Sequence, residues 1–205
     1  LVIKRLEAKS MLIDLAHASR PLIDDVLGMA TRPLLVSHTG VEGTCKGTRN
    51  LSDKHLKAIA ATGRDVVVMA PMVSTVEEVR EFKALCSEAG ISQVGIMIET
   101  PAIIPVMPDL GGILDFVSIG TNDLSQYLFA ADRMHPKLGS LNNPWQPGLL
   151  RSVSAIATEA GKLGIPVGVC GESAANPLIS IVFAGLGIDS VSVAPSAVEE
   201  VSSAL

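Results

Sequence analysis

Chemically active groups follow the short apolar segments of this sequence, at the carboxyl end of nearly every one. Imidazole, carboxylate, amide, hydroxyl and thiol groups are represented, in the segments Asp14–His17, Ser37–Thr39, Pro71–Met72, Glu99–Pro101, Gly120–Asp123 and Cys170–Glu172. Taken singly, a histidine there is usually a hydrogen-bonded structural residue, and an Asn-Asp pair before a helix is usually a cap. Six successive segments favour a site instead, because in a β/α barrel these positions ring one mouth.

The apolar segments are the elements that would position these groups. They are mostly rich in Val and Ile and too short for buried helices, which favours strands. The predicted strands are 11–15, 34–36, 66–69, 94–98, 116–119, 167–169 and 191–193.

Helical patterns with readable ends lie between the predicted strands. Ser52 is placed to cap one helix, and Ser74 with Glu77 has the spacing of a capping box before the next. Gly90 ends that second helix, and a further helix is predicted over about 147–160. The first ten residues are predicted to form a helix with no strand before it.

The alternation of apolar strands with helices predicts parallel βαβ units in a single domain. The fold class is therefore α/β, and a TIM-type (β/α) barrel with about seven recognisable parallel strands is favoured. A closed eight-stranded barrel typically takes about 250 residues. A barrel of 205 residues is therefore expected to be incomplete or closed by oligomerisation. An open doubly wound sheet is the alternative, but no glycine-rich loop follows the first strand to support its dinucleotide-binding form.

The composition restricts the partners and the setting of this domain. Hydrophobic residues make up 48% of the chain, aromatic residues 3%, and the net charge is −5. The core must therefore be aliphatic, and nucleic acid and anionic membrane surfaces are poor partners. Mean hydropathy is +0.43, yet no apolar run approaches the roughly 18 residues of a membrane helix. Three cysteines without a CxxC pair, and no signal peptide, favour a reducing cytoplasm.

The stretch 66–205 carries a series of motifs in a recognisable order. They are MAPMVSTVEEV, GIMIETPA, DFVSIGTNDLSQY, AADR, PVGVCGESA and SVSVAPSAV. With them the stretch resembles the C-terminal phosphoenolpyruvate-binding barrel of enzyme I, the phosphoenolpyruvate-protein phosphotransferase of sugar transport. The resemblance implies binding of a small anionic molecule in the barrel mouth.

This resemblance implies roles for five residues. Glu99 and Asp123 would be ligands of Mg²⁺, which takes hard oxygen ligands and keeps several waters. Asn122 and Arg133 would hold the phosphate and carboxylate of phosphoenolpyruvate, since a guanidinium suits such oxyanions. Cys170 would protonate the enolpyruvate methylene, whereas its residue type alone favours a small buried core thiol.

Two groups of functional residues in that family have no counterpart in these motifs. The family draws several phosphate-binding arginines from its first three strands, and Arg20, Arg32 and Arg49 do not lie in its motifs. Its phosphorylatable histidine is absent, and His135 lies in a predicted loop and does not replace it. Phosphoryl transfer to a partner protein is therefore expected to lack its acceptor.

Residues 1–65 resemble a second family, the membrane (renal-type) zinc dipeptidases, through MLIDLAHAS, IDDVLGMATRPLLVSHTG and RNLSDKHLKAIAATG. The resemblance implies that His17 and His38 are two ligands of a zinc centre and that Arg49 binds substrate. Neutral imidazoles are good zinc ligands, and adjacent strand ends can direct two of them at one ion. The remaining ligands of that centre have no counterpart, so dipeptide hydrolysis is not expected.

The two resemblances meet near residues 63–65, which predicts a recombined or engineered TIM-barrel chimera with no complete catalytic site and no evolved activity. One alternative is weak Mg²⁺-dependent binding of phosphoenolpyruvate or a similar phosphorylated acid. The other is a hybrid site in which His17, His38, Glu99 and Asp123 hold Zn²⁺ or another divalent metal with hydrolytic potential. A homodimer is a further expectation, because both families commonly form dimers.

Overall fold

The computed structural model describes residues 2–9, 13–16, 18–32, 34–36, 39–40, 42, 46–47, 50–60 and 67–205. The chain divides into two compact units, Leu1–Val68 and Met69–Leu205. Each unit has its own cluster of buried apolar side chains. None of the helices within the described ranges is long and apolar enough to cross a lipid bilayer.

Within its described residues, the first unit holds a short parallel sheet and three helices. Its elements are α1 (Val2–Ala8), β1 (Ile13–Asp14), α2 (Arg20–Met29), β2 (Leu34–Leu35) and α3 (Asp53–Ala60). β1 pairs in parallel with β2, with Ile13 opposite Leu34. The buried apolar residues are Ile13, Leu15, Ile23, Val26, Leu51 and Ile59.

The second unit is built on a five-stranded sheet in the order β3-β4-β5-β6-β7. The strands are β3 (Val67–Ala70), β4 (Gln93–Ile98), β5 (Phe116–Gly120), β6 (Val167–Cys170) and β7 (Ser190–Val191). The pairs from β4 to β7 are parallel. The helices are α4 (Val76–Glu88), α5 (Thr121–Leu128), α6 (Pro147–Leu163), α7 (Pro177–Gly185) and α8 (Val198–Ala204). Short 3₁₀ helices lie at Pro101–Leu110, Pro136–Leu138, Glu172–Ala175 and Pro195–Ala197.

Strand β4 of this sheet is buried on both faces. In β4 every residue after Gln93 is buried, which explains why its sequence is a continuous apolar run and not an alternating one. The largest fully buried side chains around the sheet include Phe183, Ile156 and Met107, contributed by helices. The sheet therefore has the closely packed support needed to fix the positions of its strand ends.

The elements predicted from sequence are present with small shifts at their ends. The seven predicted strands form within the described residues, and each ends within two residues of its predicted end. They begin at Ile13, Leu34, Val67, Gln93, Phe116, Val167 and Ser190. Ser52 caps α3, because its Oγ accepts the N–H of His55 at 3.3 Å. The α/β class with parallel strands is confirmed.

The capping box before α4 lies one residue later than predicted. Thr75 Oγ1 accepts the N–H of Glu78 at 3.2 Å, and Glu78 Oε2 accepts the N–H of Thr75 at 2.9 Å. The prediction of Ser74 with Glu77 was wrong because the Ser74 hydroxyl donates instead to Thr100 Oγ1, at 3.1 Å. A tertiary partner thus decided which of two adjacent hydroxyls caps the helix.

Candidate functional site

The carboxyl ends of β4, β5 and β6 place four of the predicted residues beside one another. Ile98 lies opposite Ile119, and Gly120 lies opposite Cys170, so these strands end at the same level. Glu99 follows β4 directly, Cys170 is the last residue of β6, and Asn122 and Asp123 lie in the first turn of α5. The parallel register therefore brings a carboxylate, an amide, a second carboxylate and a thiol to one edge.

Glu99 is a buried carboxylate that accepts a hydrogen bond from the backbone. The backbone N–H of Met72 donates to its Oε2 at 2.9 Å. Burial raises the pKa of Glu99 above its ordinary value, and the neighbouring Asp123 raises it further through charge repulsion and a shared hydrogen bond. The two carboxyl groups are therefore close enough to compete for one proton.

Met72 reaches Glu99 through a backbone conformation that is unusual for its residue type. Its φ is +56°, in the left-handed region that residues with a side chain rarely adopt. The conformation directs the Met72 amide at Glu99, across 27 positions of sequence. The sequence carries no signal for this contact, since Met72 resembles an ordinary residue after a strand.

Two glycines leave room for the site side chains. A Cβ at Gly120 would lie 2.6 Å from Cγ of Glu99 and 2.8 Å from its Oε1. Gly171 has a φ of +100°, and a Cβ there would lie 3.0 Å from Asn122 Oδ1 and would also collide with Thr121. The positions of Glu99 and Asn122 therefore both depend on the absence of a neighbouring side chain.

Asn122 is held by a backbone hydrogen bond, whereas Arg133 lies beside a carboxylate. Asn122 Oδ1 accepts the N–H of Glu172 at 3.0 Å, which leaves its amide nitrogen as a donor. Arg133 Nη1 lies 3.5 Å from Oδ2 of Asp123, and both side chains are partly exposed. Arg133 is thus adjacent to the carboxylate pair with most of its guanidinium donors still accessible.

Cys170 carries a thiol in a setting that keeps it protonated. Burial raises the pKa of the thiol, and the nearby charges of Glu99 and Asp123 raise it further. The sulfur lies 3.9 Å from Ser118 Oγ and 3.5 Å from the Ile119 carbonyl oxygen, to which it donates. A neutral thiol at this position can donate a proton, whereas a reactive thiolate is disfavoured.

A cavity of about 250 Å³ opens beside Asn122 and Arg133. Asn122 and Arg133 form part of its wall, and so does Glu172, from one of the predicted strand ends. The wall also contains polar residues that were not singled out from the sequence: Ser125, Asn142, Ser173 and Asn176. These side chains come from α5, the following loop and the segment after β6. Hydroxyl and amide side chains next to one arginine suit a small anion with several oxygen atoms.

The donor set fits Mg²⁺ better than a transition metal. No group of three or more His, Cys, Asp and Glu side chains that could hold a metal occurs in the part of the chain that the structure describes. Two carboxylates that face each other are the kind of partial oxygen set that Mg²⁺ completes with water and substrate oxygens. Glu99 and Asp123 would be its protein ligands.

His17, His38 and Arg49 lie outside the described residues. Their predicted roles in zinc and substrate binding therefore have no structural test. Residues 61–66, where the join between two families was expected, lie outside the described ranges as well.

Comparison with known proteins decides the family. A family profile described as PEP-utilising enzyme, PEP-binding domain, matches residues 40–205. The chain belongs to this family. It is 41% identical to the phosphoenolpyruvate-protein phosphotransferase of Streptomyces coelicolor over 151 residues, which covers 72% of this chain and 27% of the relative. It is 34% identical to the enzyme of that name from Bacillus subtilis over 168 residues, 75% of this chain and 30% of the relative.

The relatives described are much longer than the region that matches this chain. The matched region is 19% of a protein named phosphoenolpyruvate-dependent phosphotransferase system from Escherichia coli, at 36% identity over 144 residues, 64% of this chain. The chain spans less than a third of the length of each of the three relatives described.

Solved structures with low sequence identity share the fold. The chain aligns with the citrate lyase β subunit of M. tuberculosis complexed with oxaloacetate and magnesium, with a TM-score of 0.64 and 16% identity, over 98% of this chain and 91% of that one. RipC from Yersinia pestis gives a TM-score of 0.62 at 14% identity, over 95% and 87%. The predicted TIM-type (β/α) fold class is confirmed.

The prediction of an inactive chimera was wrong. The family match begins at residue 40 and passes through the expected join at 63–65, so the PEP-utilising family does not start at that point. Relatives at 34–41% identity are named as phosphotransferases, which indicates a genuine PEP-utilising domain. Nothing in the comparisons supports a zinc dipeptidase segment, a zinc ion or the hybrid histidine–carboxylate site. The prediction was wrong because the short motifs before residue 66 are not specific enough to define a family, whereas the match over residues 40–205 is continuous.

Proposed function

We propose that this domain binds phosphoenolpyruvate together with Mg²⁺ and acts in phosphoryl transfer to a protein acceptor. The observation that carries the proposal is the carboxylate pair Glu99 and Asp123 with Arg133 next to it, at the mouth formed by β4, β5 and β6. Bound Mg²⁺ would supply positive charge against the phosphate and carboxylate oxygens of the substrate. The acceptor is proposed from the names of the relatives, which are protein phosphotransferases.

Arg133 and Asn122 are proposed to bind the oxyanion groups of the substrate. Arg133 borders both the cavity and the carboxylate pair. Its guanidinium would hold one oxyanion, while the free amide donor of Asn122 would hold an oxygen of the same ligand. In this arrangement the two residues fix the orientation of the substrate relative to Cys170.

Cys170 is proposed to supply the proton that completes the reaction. Transfer of the phosphoryl group breaks the bond between phosphorus and the enol oxygen, and the electron pair remains as an enolate. That enolate takes a proton at its methylene carbon and becomes pyruvate. The raised pKa of the Cys170 thiol keeps this proton available at neutral pH.

Calorimetric titration with phosphoenolpyruvate, with and without Mg²⁺, tests the proposed binding. We expect the wild-type chain to bind only when Mg²⁺ is present. Asp123→Asn should weaken Mg²⁺ and phosphoenolpyruvate binding together, whereas Arg133→Ala should weaken phosphoenolpyruvate by about tenfold or more and leave Mg²⁺ binding nearly unchanged. Arg151→Ala, on an exposed position of α6, is the matched control.

Two results would contradict the proposal. One is wild-type binding that does not require Mg²⁺ or that survives Asp123→Asn. The other is an equal loss of phosphoenolpyruvate affinity in Arg133→Ala and Arg151→Ala, because that loss would report general charge and not the site.

Exchange of the pyruvate methyl protons in D₂O tests the role of Cys170. Pyruvate with Mg²⁺ and inorganic phosphate should exchange its methyl protons faster with the wild-type chain than without protein. Cys170→Ala should abolish this acceleration, while Cys86→Ala, at a buried cysteine in α4, should retain it. Equal exchange in the two variants would overturn the assignment.

A further inference from the structure

The arginine of the proposed substrate site is attached to a tight turn after α5. Ala130 lies three residues before Arg133, and its φ of +48° is in the left-handed region. Ala131 is 1% exposed, so this part of the turn is packed into the protein although Arg133 itself reaches the surface. The conformation of the turn therefore sets the place from which the guanidinium extends.

Gln126 fixes this turn from the helix that carries Asn122 and Asp123. Its backbone carbonyl accepts the N–H of Ala131 at 2.9 Å, and its side-chain Oε1 accepts the N–H of Arg133 at 3.1 Å. Gln126 lies three residues after Asp123, on the same side of α5. Helix α5 therefore orients both Asp123, the proposed metal ligand, and the backbone of Arg133.

Asn142 fixes the turn from the other side. Its Nδ2 donates to the Ala131 carbonyl at 3.1 Å, and its Oδ1 accepts from Ser125 Oγ at 3.3 Å. It also lies in the wall of the cavity, as Arg133 does. The amide of Asn142 therefore links the loop after α5 back to the helix and to the turn.

The ion pair of Arg133 does not provide this positioning by itself. The distance of 3.5 Å between Nη1 and Asp123 Oδ2 is longer than that of a short charge-assisted hydrogen bond, and the Arg133 side chain is 41% exposed. Exposed pairs of this kind contribute little, since each partner loses side-chain entropy and water screens the charges. The backbone anchors are the firmer constraint.

We infer that Gln126 and Asn142 are positioning residues that hold the Arg133 turn and through it set the affinity for an oxyanion ligand. This inference rests on the proposed function for its ligand, but the geometry of the turn is independent of the substrate. The contribution of Gln126 should be larger, because it bonds the arginine's own amide. Asn142 acts one peptide farther away.

A double-mutant cycle with phosphoenolpyruvate and Mg²⁺ tests the inference. Gln126→Leu removes the acceptor at similar volume and should weaken binding by about tenfold. If Gln126 acts through Arg133, the pair Gln126→Leu with Arg133→Ala should bind no more weakly than Arg133→Ala alone. Gln146→Leu, whose Nε2 donates to the Ser140 carbonyl at 3.0 Å in the same loop, is the matched control and should bind like the wild type.

A second measurement does not depend on phosphoenolpyruvate. In ¹⁵N relaxation experiments the Nε–Hε group of Arg133 should become more mobile in Gln126→Leu, and its backbone amide should exchange with solvent about tenfold faster. Asn142→Ala should change both in the same direction and by less. Gln146→Leu should change neither.

The outcomes separate this inference from the proposed function. If the wild-type chain binds no phosphoenolpyruvate, the proposed function fails, and the mobility of Arg133 alone decides whether Gln126 positions it. Unchanged Arg133 mobility in Gln126→Leu overturns the inference whatever the ligand result. Losses of affinity that add in the double mutant also overturn it, because they show that Gln126 acts independently of Arg133.

Discussion

At the scale of single residues, Glu99 and Asp123 are the two neighbouring carboxyl groups of the proposed site. Burial of Glu99 and the nearness of Asp123 both raise the pKa of Glu99, while the Met72 amide lowers it. Without a cation, ionisation of both groups places like charges together in a partly dry setting. The geometry is therefore unfavourable for the ionised protein alone and favourable once a divalent cation is present.

Glu99→Gln should stabilise the metal-free protein at neutral pH. A raised carboxyl pKa means that the folded state prefers the protonated form. The stability that protonated Glu99 contributes is present below its ordinary pKa of 4.5, and it is lost as the pH rises through the raised pKa. We expect the variant to gain on the order of 1 kcal/mol in unfolding free energy at about pH 8 and little at about pH 5. Urea denaturation at both pH values measures the difference.

Addition of Mg²⁺ is the control for the Glu99→Gln denaturation experiment. It should raise the stability of the wild type at about pH 8 and leave Glu99→Gln nearly unchanged, by mass action on the folded state. A variant that is less stable than the metal-free wild type at about pH 8 would contradict the predicted sign.

Gly120→Ala should disturb the carboxylate without altering any charge. The added Cβ would lie 2.6 Å from Glu99 Cγ, so the Glu99 side chain or strand β5 must shift. Overpacking of this kind costs typically about 1–3 kcal/mol, and Mg²⁺ affinity should fall with it. Thermal denaturation and Mg²⁺ titration measure the two effects. Gly161→Ala, in α6 with no atom within 4 Å of the added Cβ, is the control and should be neutral or stabilising.

At the scale of secondary structure, the segment between β3 and α4 connects helix capping with the site. Thr75 and Glu78 form the capping box of α4, and Met72 in the same segment donates its amide to Glu99. Ser74 and Thr100 are hydrogen-bonded to each other, which ties this segment to the residue after Glu99. The start of α4 therefore contributes to the position of the carboxylate.

Thr75→Ala should lower the unfolding free energy by about 1 kcal/mol, the usual cost of losing an N-cap side chain. Backbone N–H groups of Ser74 and Thr75 lower the pKa of Glu78. The stability that the Glu78 carboxylate contributes is therefore present above its ordinary pKa of 4.5, and it is lost as the pH falls through the lowered pKa. Chemical denaturation of the variant measures the loss.

The control for the capping experiment is Ser152→Ala. Its hydroxyl donates to the Gly148 carbonyl inside α6 and caps no helix end, so the change should stay within about 0.5 kcal/mol. Equal losses in Thr75→Ala and Ser152→Ala would show that the capping box does not stabilise α4.

At the scale of the whole molecule, the chain consists of two units with separate cores. The larger core belongs to the second unit and includes side chains from the sheet and from the helices around it. This unit also carries Glu99, Asn122, Asp123, Arg133 and Cys170. Both the fold around the site and the site residues themselves are thus contained in one compact body.

A fragment of residues 67–205 should fold cooperatively by itself, because it keeps the five-stranded sheet and its core. Its denaturation in urea should give a single transition, and phosphoenolpyruvate with Mg²⁺ should shift the midpoint upward. A fragment with Asp123→Asn should keep the transition and lose the shift. A broad transition without a midpoint shift for the unaltered fragment would contradict the expectation.

The relatives of this chain are much longer than the region that they share with it. They are more than three times as long as that region. The absence of a recognised phosphoryl acceptor among its motifs therefore no longer argues against phosphotransfer, since an acceptor can belong to another segment or another protein. Dimer formation stays a prediction.

The α/β class and the seven strands could be predicted from the sequence alone, and the residue types proposed for the site could be read from it directly. These follow from local patterns, because runs of Val and Ile form strands wherever both faces are covered, and residues such as Glu99 and Asp123 have their chemistry fixed by type. The prediction of a family boundary near residue 65 was wrong, since short motifs carry less information than a match over residues 40–205.

Only the tertiary structure decided how the site residues are held. Met72 meets Glu99 across 27 positions, and Asn142 meets Ala131 across 11, through contacts that no local pattern encodes. The same holds for Gly120, which must lack a side chain because of where Glu99 lies in space. Residue types provide the chemical groups, whereas their distances and pKa values depend on neighbours that come together only when the chain folds.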